Sequence, residues 1–245
     1  MVKRWIDSRV LSWNCSYQSG IVLDGEKWQR ANLIWEHAKN LIESNQSEFD
    51  LADGITNLKR CLNHRLSLIE EIYEFKNIEL NSKPKGYMEL LERLGIIRPF
   101  IMNNLCLIRN DIEHNYARPP SIERCLELLD VIWYFLKSTD PMVQIKKGDV
   151  YFEMCDEYGF SLRNNFNNSE IYYIYGSFPT EYVYSEQKDN CFEIILGTFE
   201  FNNGDINFKY YNKSNDLNID KSLSGRALFN DNLKFEVIPK LIFTS

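Results

Sequence analysis

At 245 residues, 44% of them hydrophobic and 26% charged, the chain has ordinary globular composition and is long enough to build its core without disulfides or metals. Its formal net charge of −7 argues against a protein that clasps long tracts of nucleic acid, because such proteins present a basic face; only a local basic site is left open. No apolar run approaches the ~18 residues that would span a bilayer, the start of the chain mixes Lys3, Arg4, Asp7 and Arg9, and Cys15, Cys61, Cys106, Cys125, Cys155 and Cys191 form no C-x-x-C pair. A cytoplasmic protein with reduced thiols and no membrane partner is expected.

Up to about residue 140 the hydrophobic period is helical. Trp28, Ala31, Trp35, Ala38 and Ile42 step by three and four into one apolar stripe. Asp50 can cap a second, longer helix carrying Leu51, Ile55, Leu58, Leu62, Leu66, Ile69 and Tyr73. A turn at Lys83-Pro84-Lys85-Gly86 leads to a short helix from Tyr87 to Leu94, and Pro99 is acceptable in the first turn of the next one. Pro119-Pro120 ends that helix and Ser121 can cap a last one, with Ile122, Leu126, Leu129, Trp133 and Leu136 as its buried face. These elements read as a bundle of four or five helices over residues 1–140.

Composition changes near Thr139-Asp140-Pro141: all five Trp lie before it and 20 of the 34 aromatic residues follow it. Residues 139–149 are expected to be a linker, and residues 141–245 a mostly antiparallel β domain. Phe199 and Phe201, then Asn203-Gly204, then Ile206 and Phe208 form the strongest hairpin signal, pairing Phe201 with Ile206 and Phe199 with Phe208. Residues 171–178, 192–196 and 233–243 are expected to add strands. The predicted fold class is thus α+β, a helical bundle followed by a β domain.

The helix after Pro99 carries the chemistry. Spaced 100° apart, Ile101, Leu105, Ile108 and Ile112 fall on one side and face the bundle core, whereas Phe100, Asn103, Leu107, Asn110 and His114 fall on roughly the opposite side, with Arg109 on the flank. A surface helix needs one apolar stripe, so the second face, with Asn103 and Leu107 at its middle, suggests contact with a second copy of the chain across a two-fold axis. Arg suits phosphate because its planar fork donates in pairs and stays charged; His suits proton transfer because its pKa lies near neutrality. Asn110, one turn before His114, can orient the ring. Arg109 with Glu113 can equally form a solvated i,i+4 pair of no functional weight. His37 and His64 have no partners at metal-ligand spacing, and no carboxylate cluster for a metal is evident.

The run Arg109-Asn110-Asp111-Ile112-Glu113-His114-Asn115-Tyr116 resembles the Arg-x4-His signature of the HEPN superfamily of helical ribonucleases. The resemblance covers residues 1–140 at most and leaves 141–245 outside it. It implies a helical domain that dimerises through the motif face and cleaves RNA without metal or other cofactor, leaving a 2′,3′-cyclic phosphate. Arg109 and His114 would be the catalytic pair and Asn110 their polar helper. Tyr116 matches the tyrosine that some toxin members present to a partner nucleotidyltransferase, an antitoxin that silences them by adenylylation. A homodimeric bacterial toxin or phage-defence endoribonuclease is therefore expected. The alternatives are a non-catalytic HEPN-like interaction module and a ligand- or partner-binding protein acting through its β domain.

Overall fold

The chain opens on strands, not on helices: β1 (Lys3–Asp7) and β2 (Asn14–Val22) precede the first α-helix. The computed structural model describes residues 1–164, 172–202, 205–211 and 222–244, and these form two compact units. One unit comprises Met1–Ile21, Asn77–Lys83 and Lys147–Ser245; the other comprises Val22–Lys76 and Pro84–Lys146. The N-terminal residues thus belong to the β unit, which corrects the expectation that the chain begins with a helical bundle. Their partners explain why they escape a local reading. β1 pairs antiparallel with β7 (Cys191–Asn202) and β6 (Val183–Tyr184), nearly two hundred residues further on, and no local period encodes such a pairing.

The helical unit contains α1 (Gly25–Ser44), α2 (Glu48–Tyr73), α3 (Tyr87–Arg93), α4 (Pro99–Asn115) and α5 (Ile122–Gln144). The Asp24 side chain caps α1. At α2 the cap is Ser47, which forms a reciprocal capping box with Asp50 and so satisfies two orphan N–H groups; Asp50 is the third residue of the helix and not its cap. Gly54 allows α1 and α2 to approach closely, since a Cβ there would lie 2.5 Å from Ile42 Cγ1. Polar links tie the layers together. Trp35 Nε1 donates to Leu129 O at 2.9 Å and Tyr73 OH to Met142 O at 3.0 Å. Arg65, fully buried on α2, donates through Nη1 to Leu136 O, Thr139 Oγ1 and Asp140 Oδ1 on α5.

Two apolar faces differ from the sequence reading. On α1, Ala31, Ala38 and Ile42 are buried, while Trp28 and Trp35 are only half-buried. On α5 the buried face is Cys125, Leu128, Leu129, Ile132, Phe135 and Leu136, and Leu126 and Trp133 are exposed. A helix as apolar as α5 offers more than one stripe, and packing, not period, selects the face. The expected linker at 139–149 is instead the end of α5 running directly into β3 (Ile145–Cys155).

In the β unit, β3, β4 (Tyr158–Asn164), β5 (Tyr172–Ser177), β8 (Asp205–Tyr210) and β9 (Leu223–Leu228) join β1, β2, β6 and β7. The sheet runs β2-β3-β4-β5-β9-β7-β1-β6, with β8 added to β7. Phe199 pairs with Phe208 and Phe201 with Ile206, the register expected from the sequence; the turn at 203–204 lies outside the described residues. One sheet face buries Ile6, Val150, Phe152, Phe160, Leu162, Ile174, Phe192, Ile194 and Leu196. Residues 233–243, read as a strand, lie in a helix, α6 (Asp231–Phe243), capped by the Asn230 side chain, with Val237, Ile238, Leu241 and Ile242 buried. That i, i+1, i+4, i+5 pattern is helical, and the alternation Leu233, Phe235, Val237 masks it.

Candidate functional site

α4 begins with Pro99 at its first turn and packs mainly on α2. Leu105 and Met102 are its buried anchors, while Ile108 and Ile112 are half-buried. On the opposite side, Phe100 is 76% exposed and Leu107 61% exposed, and Asn103, Asn110 and His114 are exposed with them. These five residues span an arc of about 80° and, at 1.5 Å rise per residue, a length of about 21 Å. The helix therefore carries a continuous uncovered stripe with apolar residues toward its N-terminal end and polar ones toward its C-terminal end.

Arg109 lies on the flank of this stripe and is held by its own helix. Its guanidinium makes an ion pair with Glu113, one turn on, and Nη1 donates to Asn110 Oδ1 at 3.2 Å. Glu113 in turn lies 3.4 Å from Thr56 Oγ1 on α2. Asn110 therefore faces Arg109 through its amide oxygen, and orientation of the His114 ring by Asn110 does not occur in this arrangement. The i,i+4 spacing discloses Glu113 in the sequence; Thr56 is beyond such reading, because the α2 to α4 contact is not local.

Helical extrapolation turns Tyr116 toward the core side, but it caps α4 in the left-handed conformation, at φ 53°, and its N–H bonds to Asp111 O. The side chain leaves the helix and is 92% exposed. A non-glycine residue at positive φ is uncommon. Here it ends the helix before Pro119-Pro120.

The other arginines between Lys85 and Lys137 are each paired. Arg93 faces Glu89 at 3.4 Å, Arg98 faces Glu92 at 4.0 Å, Arg118 faces Glu48 at 3.9 Å and Arg124 faces Glu127 at 2.5 Å. Every arginine between Lys85 and Lys137 thus has a carboxylate within reach. Such exposed pairs are each worth about 0–1 kcal/mol, so an incoming phosphate can compete for them. His64, on α2, is half-buried, and its Nδ1 is buried with no hydrogen-bond partner among the described residues. Burial, and then the nearby Arg30 and Arg65, hold its pKa below the usual imidazole range. Among the described residues no three His, Cys, Asp or Glu side chains gather into a group that could hold a metal ion, and no helix is long and apolar enough to cross a membrane. No family model matches the chain, and neither a curated protein nor a solved structure matches it.

Proposed function

We propose that this chain is a metal-independent RNA endonuclease of HEPN type that acts as a homodimer, in the setting of a toxin or a phage-defence effector. The observation that carries the reading is the uncovered α4 stripe, in which His114 and Asn110 share one exposed face with Phe100 and Leu107 and have Arg109 at its edge. Two copies related by a two-fold axis along this face would cover the apolar residues and bring two Arg109 and two His114 to one groove. Arg109 then releases Glu113, grips the scissile phosphate through its fork and stabilises the charge that develops in the transition state. His114 moves a proton, either from the attacking ribose 2′-hydroxyl or to the departing 5′-oxygen. The exposed Tyr116 is the position at which a partner nucleotidyltransferase would attach AMP, adding a bulky anion beside a groove that seeks phosphate. Mass spectrometry after incubation with such a partner and ATP reads this directly, and an unmodified Tyr116 contradicts it.

A specific observation favours a second reading. The Arg109–Glu113 ion pair occupies the guanidinium, as it would in an interaction module without catalysis. RNA cleavage in EDTA separates the two: an enzyme cuts and its Arg109→Ala variant does not, whereas an interaction module leaves RNA intact.

A further inference from the structure

The β unit contains a cavity of about 600 Å³ beside the N-terminal end of β5 and the C-terminal end of β9. This lies within the size range of small-ligand pockets, on the order of 300–1,000 Å³. Leu80 and Leu228 supply apolar wall, and Arg226, Lys83 and Lys234 supply positive charge; Tyr172 and Phe229 border the cavity but are buried and packed edge to face on each other. The two carboxylates in the lining do not cancel that charge evenly. Asp231 accepts the backbone N–H groups of Asn81 and Ser82, each at 3.2 Å. Lys234 Nζ is occupied by the backbone oxygen of Glu79 at 2.6 Å.

Arg226 is the unusual member. It sits on β9, an interior strand, between Tyr173 of β5 and Ile195 of β7. Its Nε is buried, and among the described residues its guanidinium makes no hydrogen bond or ion pair. Lys83 likewise has no ion-pair or hydrogen-bond partner among them. An unpaired guanidinium and an unpaired ammonium on the wall of one cavity are positioned to take an anion.

We infer that this cavity binds a small oxyanion carried on an apolar body, with the Arg226 guanidinium gripping the oxyanion, Lys83 adding charge and Leu80 and Leu228 flanking the body. Phosphate esters and carboxylates share this chemistry. The site is independent of α4 and makes the β unit a ligand-responsive part of the protein.

Titration calorimetry of the full chain tests the inference with AMP, inorganic phosphate, benzoate and adenosine. AMP or benzoate is expected to bind and neutral adenosine is not; AMP together with phosphate identifies a phosphoryl site, and benzoate a carboxylate site. Arg226→Gln and Lys83→Gln should each weaken binding by roughly tenfold or more. Lys83 is exposed, so its variant carries the test even if Arg226→Gln fails to fold. Binding of no anionic probe at millimolar concentration, adenosine binding as well as AMP, or unchanged affinity in Lys83→Gln overturns the inference. Calorimetry reads binding without RNA cleavage, so this result and the fate of the α4 proposal are separable.

Discussion

Arg109 and Glu113 compete with any phosphate that approaches α4. The pair is partly exposed, and pairs of that kind are worth about 0.3–0.5 kcal/mol on a helix; bidentate phosphate contact, charge-assisted on both sides, exceeds this. Glu113→Gln therefore should lower KM for RNA a few-fold while leaving kcat nearly unchanged, and a raised KM in steady-state kinetics would count against Arg109 as the phosphate holder. His64 makes a separate prediction about pH. Its folded pKa lies below its unfolded value, so the unfolded chain binds the extra proton first as pH falls. The stability it allows is fully present above the unfolded value, about 6.5, and declines as pH drops below it. Thermal melts from pH 7.5 to 5 should show that decline, and His64→Gln should flatten it. An identical slope in wild type and variant would exclude His64 as its source.

At the scale of the element, α4 is a helix with two faces, one packed mainly on α2 and one uncovered. Leu105 and Met102 bury against the bundle, while Phe100 and Leu107 face solvent. The period made the uncovered face legible, since positions 100, 103, 107, 110 and 114 return to one side every three or four residues; of the expected core face Leu105 is buried and Ile108 and Ile112 are half-buried, with Met102 buried beside them. The spacing gives Glu113 as the partner of Arg109 but not Thr56, which hydrogen-bonds Glu113 from α2. Extrapolating a helix by 100° per residue does not place Tyr116, because the chain enters the left-handed conformation there. Other causes hide α6, where the alternation Leu233, Phe235, Val237 masks the helical period, and β1, whose partner strands lie in the far half of the sequence. Leu107→Asp should leave the helical unit folded, because the residue is exposed, with a stability change within about 0.5 kcal/mol. It should convert dimers into monomers in sedimentation velocity and lose RNA cleavage at the same time. A wild-type chain that sediments as a monomer at micromolar concentration would refute the α4 interface.

For the whole molecule, the β unit and the helical unit divide the functional possibilities between them. Antiparallel strands with alternating aromatic residues were readable after residue 150, and the Phe199 to Phe208 register followed from the sequence. The cavity holding Arg226 was not readable, because its lining comes from residues 79–83, β5, β9 and α6, and only the folded sheet assembles them. We propose that an acidic chain whose arginines between Lys85 and Lys137 are all paired nevertheless cuts RNA through Arg109 and His114. The most direct test is to incubate labelled single-stranded RNA with wild type and with His114→Ala in excess EDTA and to identify the product ends by mass spectrometry. Wild type should cut and leave 2′,3′-cyclic phosphate ends, with His114→Ala slower by about 10²–10⁴-fold and equally folded by circular dichroism; intact RNA with wild type, or equal cleavage by both proteins, would contradict the claim.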